Sequence, residues 1–360
     1  MTVDAPLPSV PRLIIDLKAV RANYLLMAAR SGTAVCGAAI KANAYGTGLE
    51  QVAPVLAAAG CTHFFCAHIS EAMLARQILG HDVEIFVLNG LQFGEAPLLR
   101  QKHLIPVLST AEHIALWLEA GENAPAALHI DTGMNRLGLV WHRDVPAMTK
   151  GLNLCLIMSH LACGSAPDHP LNARQKACFD DVRAAFPGIS ASLANSAGIL
   201  MGADWHYDLT RTGIALYGGA PLGEGGPKLA PVARIEAPII QIKTVRKGDI
   251  IGYDADFIAP EDMPVATVSL GYADGLPCAA SSGGGFGRIE GEKVPLVGRV
   301  SMDLSTFDLR GLSTLPQVGD MLCLLGDDLE ALAKRAGTLS YEILTGLGPR
   351  FVRDYKGCSA

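Results

Sequence analysis

Several residues able to do chemistry stand at the ends of apolar runs, where a side chain has a low-dielectric wall behind it and an opening in front. Lys41 follows the run from Val35 to Ile40, which is bounded by Gly32 and Gly46. Such surroundings favour the neutral, nucleophilic amine, and lysines of that kind form Schiff bases with carbonyl cofactors. The plainer alternative is a lysine that closes a strand and snorkels to solvent. Arg136 lies in Asp131-Thr132-Gly133-Met134-Asn135-Arg136-Leu137-Gly138. Its planar fork could hold a carboxylate or a phenolate oxygen, or make a surface salt bridge. His160, in Ser159-His160-Leu161-Ala162, is either a catalytic imidazole or a satisfied structural one. Ser196, in Ala194-Asn195-Ser196-Ala197-Gly198, stands at a helix start where hydroxyl and backbone N–H groups suit a phosphate. In Thr210-Arg211-Thr212-Gly213-Ile214, an arginine precedes a glycine whose backbone can approach an anion.

These residues need a scaffold that gathers them. Apolar runs at Ala34–Ile40, His63–Ala67, Val83–Leu88, Ile105–Leu108, Ala126–Asp131, Leu154–His160, Ser190–Asn195 and Leu209–Leu216 predict strands. Helical periods separate them at Gln51–Ala59, Ser70–Leu79, Thr110–Ala120 and Leu171–Ala185, with Ser70 and Thr110 as N-caps. Eight strands alternating with helices predict an α/β fold, a (β/α)8 TIM-like barrel over residues 11–225; an open, doubly wound sheet is the alternative. Barrel enzymes place their sites at the C-terminal strand ends. Lys41, Asp131 with Arg136, His160, Ser196 and Arg211 would then share one rim.

Residues 226–360 read differently. Short β-rich runs at Val232–Ile242, Pro264–Leu270, Lys293–Val300 and Met321–Leu325 predict a mostly-β domain, joined through the glycine-rich 222–227 linker, with residues 1–10 a candidate to pack on it. Ile251-Gly252-Tyr253-Asp254-Ala255 and Leu270-Gly271-Tyr272-Ala273-Asp274-Gly275 each carry a turn-flanked tyrosine, followed by Val297-Gly298-Arg299-Val300-Ser301-Met302-Asp303. Taken singly, such tyrosines are packing residues as a rule.

Taken together, these segments, beginning with Lys41-Ala42-Asn43-Ala44-Tyr45-Gly46, resemble the alanine racemase family over nearly the whole chain, in family order and at matching spacing. The resemblance implies pyridoxal phosphate (PLP) held covalently by Lys41, with its phosphate on Tyr45, Ser196 and the backbone of Gly213 and Ile214. It further implies Arg211 at the pyridine nitrogen, steadied by His160, and Arg136 on the phenolate side and the substrate carboxylate. Lys41 and Tyr253 would be the two catalytic bases that interconvert L- and D-alanine, for peptidoglycan or for D-alanine catabolism. Tyr272 would line the substrate entrance, and Met302 would touch substrate through its backbone. The family also implies a head-to-tail homodimer with shared active sites. Decarboxylases of related architecture present a carboxylate to the pyridine nitrogen, which Arg211 is not. A single-barrel PLP carrier without turnover would have no use for residues 226–360. A racemase of broader specificity stays open.

Two positions depart from the family pattern. Many members carry a lysine where this chain has His129, and in some it is carbamylated to brace the substrate-holding arginine. Here that brace cannot form. Pro349, not Tyr355, aligns with a tyrosine that some members place over the phosphate.

Other readings are narrowed by composition. A net charge of −6 with no basic run argues against nucleic acid and anionic membranes. No window reaches about 18 apolar residues, so no membrane-spanning helix is expected. Met1–Pro6 has neither a basic region nor an apolar core, so no secretory signal is expected. Nine cysteines, an odd number without a regular framework, predict a reducing, cytoplasmic setting. Cys61, His63, Cys66 and His68 match no zinc spacing, and strand alternation turns His63 away from the other two strand residues, so no metal site is expected. The Gly283–Gly287 run predicts a hairpin loop.

Overall fold

The computed structural model describes residues 10–121, 123–281 and 283–357. The expectations for Met1–Pro6, and for the packing of residues 1–9, lie outside these. Backbone contacts divide the chain into Val20–Ala230 and a second unit, which joins the described residues up to Ala19 with those from Pro231 onward.

In the first unit, eight parallel strands follow one another in sequence: β1 (Val35–Ala39), β2 (His63–Cys66), β3 (Glu84–Val87), β4 (Ile105–Leu108), β5 (Pro125–Asp131), β6 (Asn153–Met158), β7 (Ser190–Ser192) and β8 (Leu209–Thr212). Their registers run from Ala38↔Phe64 on β1 and β2 round to Ile157↔Ala191 on β6 and β7. Arg211↔Gly37 pairs β8 back onto β1. The β7–β8 seam is closed by Asp208 N–H to the Ala191 carbonyl at 3.0 Å and Arg211 N–H to the Ala194 carbonyl at 2.9 Å. The ring therefore closes, and the open-sheet alternative falls. Strands buried on both faces read as continuous apolar runs, and Phe64, Phe65 and Phe86 in adjacent strands are each at most 1% exposed. Each such ring contributes about 2–3 kcal/mol of burial.

Helices cover the strands at Leu49–Ala58, Ile69–Leu79, Ala111–Glu119 and Pro170–Ala185, among others. Thr110 is the expected N-cap, its hydroxyl accepting the His113 N–H at 3.1 Å. Ser70 is not: the Ile69–Leu79 helix is capped at His68. The eighth strand also ends earlier than expected. It stops at Thr212, because Gly213 turns the backbone to φ −129, ψ −95 and a 3-10 turn takes over at Ile214–Tyr217.

The second unit is organised around the 13-residue strand Ala233–Val245. It pairs antiparallel with Arg12–Asp16, Met263–Val268 and Met321–Leu325. Arg12–Asp16, within the span expected for the barrel, belongs to this sheet instead and pairs on its other side, in parallel, with Val352–Lys356. Glycines 283–287 are not the hairpin loop: Phe286 and Gly287 already lie in the strand Phe286–Ile289, and the turn falls at Glu290 and Gly291. Val245, Ile251, Ala259, Met263, Val265 and Val297 form one buried cluster, with Phe257 packed against it. No helix of the described residues is long and apolar enough to cross a membrane.

Candidate active site

Lys41 stands two residues beyond the end of β1, which stops at Ala39, one residue before the end of the expected run at Ile40. Ile40 still donates its N–H to the Phe65 carbonyl at 3.0 Å. After Lys41 the backbone turns left-handed for four residues, with φ of 53, 54, 52 and 53 at Ala42, Asn43, Ala44 and Tyr45. Asn43 stabilises the turn: its side-chain carbonyl accepts the Leu49 N–H at 2.8 Å and its backbone carbonyl the Gly48 N–H at 2.9 Å. Enclosure lowers the Lys41 ammonium pKa, and the Arg136 and Arg211 guanidiniums push the same way, against Glu71. The amine is thus biased toward its neutral, nucleophilic form.

Arg211 on β8 is 6% exposed. One terminal nitrogen donates to the Ser192 carbonyl at 2.9 Å and the Ser192 hydroxyl at 2.5 Å. The other donates to the carbonyls of Ser159 at 2.5 Å and Leu193 at 3.4 Å, and lies 3.5 Å from His160 Nδ1. Burial pulls its pKa down to about 9, so it keeps its charge at neutral pH. The interior around His160, with Arg211, Arg136 and Lys41 nearby, holds that imidazole well below its usual pKa. A neutral ring can accept from the guanidinium. His129 on β5 is 8% exposed, and burial beside Arg211 lowers its pKa to about 4.

Two residues past Arg211, Gly213 begins a cradle of hydroxyls and backbone. The Ser196 hydroxyl accepts the N–H of Gly213 at 2.8 Å and of Ala215 at 3.5 Å. A Cβ on Gly213 would meet the Tyr45 phenol oxygen at 2.5 Å, so only glycine lets that phenol reach the backbone there. The Tyr45 ring stacks on Tyr217 at 4.6 Å, and the Tyr217 hydroxyl is anchored on the Ala39 carbonyl at 2.9 Å. Ile214 follows Gly213 in the same 3-10 turn. The donor set — a primary amine, a buried guanidinium, and a hydroxyl-lined backbone nest — fits an aromatic aldehyde that carries a phosphate.

Arg136 is exposed at the rim. Its loop is shaped by Asp131, whose carboxylate accepts the N–H groups of Gly133 at 2.8 Å, Met134 at 2.9 Å and Asn135 at 3.2 Å. Gln175, fully buried on the Pro170–Ala185 helix, ties this rim together. It donates to Thr132 at 3.2 Å and to the His160 carbonyl at 2.8 Å, and it accepts from the Ala162 N–H at 2.8 Å. Sequence reasoning passed over Gln175 and Glu71, because both sit in helices whose periodicity alone accounts for them.

Tyr253, Tyr272 and Met302 meet in the second unit, where they line a cleft of about 590 Å³ with Arg299 and Asp254. Gly252 enters the Tyr253 loop at φ 80, and Asp254 and Ala255 follow at φ 57 and 56. Arg299 Nη1 pairs with Asp254 at 2.5 Å, and its Nε is 3.8 Å from Asp256. The Met302 carbonyl accepts the Ala273 N–H at 3.0 Å and the Ser301 carbonyl accepts the Tyr272 N–H at 3.0 Å, which fixes the two segments to each other. Tyr355 lies in the terminal strand, in register with Ile15. The structure thus assembles the expected residues as two sets, one in each unit.

A closed parallel barrel that presents an enclosed amine, a buried cation and an anion cradle at its C-terminal rim is the framework of a Schiff-base cofactor enzyme. Residues 15–221 match the alanine racemase N-terminal domain and residues 232–355 the alanine racemase C-terminal domain. The alanine racemase of Rhodospirillum rubrum is 45% identical over 96% of this chain and 96% of its own. A catabolic alanine racemase of Agrobacterium fabrum is 43% identical over 95% of this chain and 91% of its own. The crystal structure of alanine racemase from Bartonella henselae with covalently bound pyridoxal phosphate superposes with a TM-score of 0.92 at 36% identity, covering 97% of this chain and 100% of that one. The chain belongs to the alanine racemase family.

Proposed function

We propose that this protein interconverts L-alanine and D-alanine, with PLP held covalently on Lys41. The observation that carries this reading is the Lys41 amine itself, enclosed at the barrel mouth with its pKa lowered and with Arg136 and Arg211 beside it. When bound, PLP takes up carbanion charge and so acidifies the Cα–H of the amino acid. Lys41 Nζ moves the proton on one face of Cα and the Tyr253 hydroxyl moves it on the other. Arg211, oriented by the carbonyls of Ser159, Ser192 and Leu193, would face the ring nitrogen as a fixed cation. Because Arg211 keeps its own protons, it would leave the ring nitrogen unprotonated and so favour return of the proton to Cα. Tyr45, Ser196 and the N–H groups of Gly213 and Ile214 receive the phosphate, and His160 steadies Arg211. Arg136 holds the substrate carboxylate by its fork, while Tyr272 and Met302 shape the entrance.

The two bases belong to different units, and the reading includes a homodimer whose sites each take the lysine from one chain and the tyrosine from the other. Two-fold symmetry makes both sites equivalent. The D-alanine serves wall synthesis or is consumed in catabolism. The reading is tested by incubating the PLP-loaded protein with L-alanine and separating the products by chiral chromatography. D-alanine at equilibrium with L-alanine is the expected result. A visible cofactor band without D-alanine would make the protein a PLP carrier.

A further inference from the structure

The turn after Lys41 runs against its own sequence. Left-handed backbone costs roughly 1–2 kcal/mol per residue for side chains other than glycine, against which the turn closes only a few local bonds, among them Ala44 N–H to the Ile40 carbonyl at 2.9 Å and Gly46 N–H to the Ala42 carbonyl at 2.8 Å. Left alone, Ala-Asn-Ala-Tyr would relax toward the right-handed helix that alanine favours. That relaxation would swing the Lys41 side chain and draw Tyr45 away from Gly213. Asn43 holds the far end of the turn through the Leu49 and Gly48 N–H groups, and a contact from another segment holds its start.

The residues on either side of Lys41 are gripped by the same neighbouring segment. Ile40 donates its N–H to the Phe65 carbonyl at 3.0 Å. Ala42 donates its N–H to Glu71 Oε1 at 2.6 Å. The second oxygen of Glu71 accepts the N–H groups of Ala67 at 2.9 Å and His68 at 3.2 Å. One carboxylate therefore joins the start of the left-handed turn to the end of β2 and the first turn of the Ile69–Leu79 helix. Hydrogen bonds to an ionised acceptor are roughly twice as strong as neutral ones.

We infer that Glu71 is a positioning residue for Lys41: its Oε1 latches the left-handed turn that aims the amine into the barrel mouth and seats Tyr45 against Gly213. This rests on Lys41 being the cofactor lysine, as proposed above. A rival assignment is that Glu71 merely caps its own helix, a task its Oε2 performs and a glutamine could share. The two roles are separable. Glutamine has one oxygen, so it cannot both cap the helix and accept from Ala42. Alanine removes both arms.

The test compares wild-type, Glu71→Gln and Glu71→Ala holoenzymes by amide hydrogen exchange, visible circular dichroism of the bound cofactor, and kcat with KM. In Glu71→Ala, exchange at Ala42–Gly46 should rise roughly ten- to hundredfold, as expected for a lost hydrogen bond to a charged group. The cofactor dichroism should change, and kcat should fall while KM for alanine moves little, since Arg136 is untouched. Glu71→Gln should do the same to a smaller extent, and it carries the comparison if the alanine variant does not fold. Exchange at Ala42–Gly46 that stays at the wild-type rate while the Ile69–Leu79 helix frays would overturn the inference and leave a capping role only. A fall in kcat with no change in exchange would overturn it as well. Borohydride reduction of wild type is read separately. A tag on a lysine other than Lys41 would refute the proposed function without altering what the exchange data say about the latch.

Discussion

The barrel mouth and the tyrosine cleft hold their working groups in opposite ways. Arg211 and His129 are 6% and 8% exposed, and Arg211 is held by backbone carbonyls from the ends of β6 and β7. Tyr253, Tyr272 and Met302 are 67%, 44% and 53% exposed, and the Tyr253 loop is fastened by a surface ion pair and two left-handed residues. The barrel thus sets the protonation of its groups by enclosure, before anything binds. The cleft holds its tyrosine in place but leaves it open to solvent. A base on that loop acquires a dry surrounding only when something covers it, which is what the proposed composite site supplies.

The largest effect should come from the enclosed side. Lys41→Ala is expected to lose about 10⁴-fold or more in kcat in both directions, since general acid–base work alone contributes about 10²–10⁴ and Lys41 also anchors the cofactor. Borohydride reduction and peptide mapping of wild type should tag Lys41. Tyr253→Phe should lose roughly 10²–10⁴-fold, and unequally: solvent-deuterium exchange at Cα of L-alanine should suffer more than that of D-alanine. Equal losses would mean that enclosed and exposed bases do not serve opposite faces. A smaller effect is expected on mixing. Lys41→Ala and Tyr253→Phe homodimers, each inactive, should regain roughly a quarter of wild-type activity after random exchange, because about half the dimers are mixed and each has one intact site. A mixture that remains inactive, with exchange confirmed by mass spectrometry, would place both bases in one chain.

The mildest test concerns His129, where the ring faces Arg211, Asp131 and Arg136. Its folded pKa of about 4 lies below the ordinary 6.5. Between those values the unfolded chain takes up the proton and the folded chain does not, so stability rises with pH there. His129 alone should account for a loss of about 3 kcal/mol of stability as pH falls from 6.5 to 4, and His129→Asn should lack that share in urea titrations at each pH. His129→Ala should raise KM for alanine a few-fold through Arg136, and activity should not respond to dissolved CO₂. A CO₂-dependent rate would show that a lysine elsewhere supplies a carbamate.

How much of this could be read beforehand follows from physical range. The barrel strands were legible because strands buried on both faces must be apolar throughout, and the rim residues because polar groups interrupt those runs. Arg12–Asp16 was not legible as part of the second sheet: Arg-Leu-Ile-Ile-Asp looks like any buried strand, and its partners lie more than 200 positions on. The left-handed turn was hidden because Ala42, Asn43, Ala44 and Tyr45 include no glycine to announce it. Glu71 gave one faint signal, its place three residues after the His68 cap, which reads as a helix start and says nothing of Ala42.

The pairing of Arg12–Asp16 with both Ala233–Val245 and Val352–Lys356 also sets a timetable. Arg12 meets Asp354 across 342 positions of chain. At about 5–20 residues per second on the ribosome, that strand waits roughly 20–70 s for its last neighbour. Residues 20–230 emerge in between, with every strand of their ring already made. The nascent chain would carry a finished barrel, lysine in place, while the sheet that bears the tyrosine is still an unpaired edge. The enzyme's two halves would mature in sequence, and the tyrosine-bearing half would be the last to cover its strand edges.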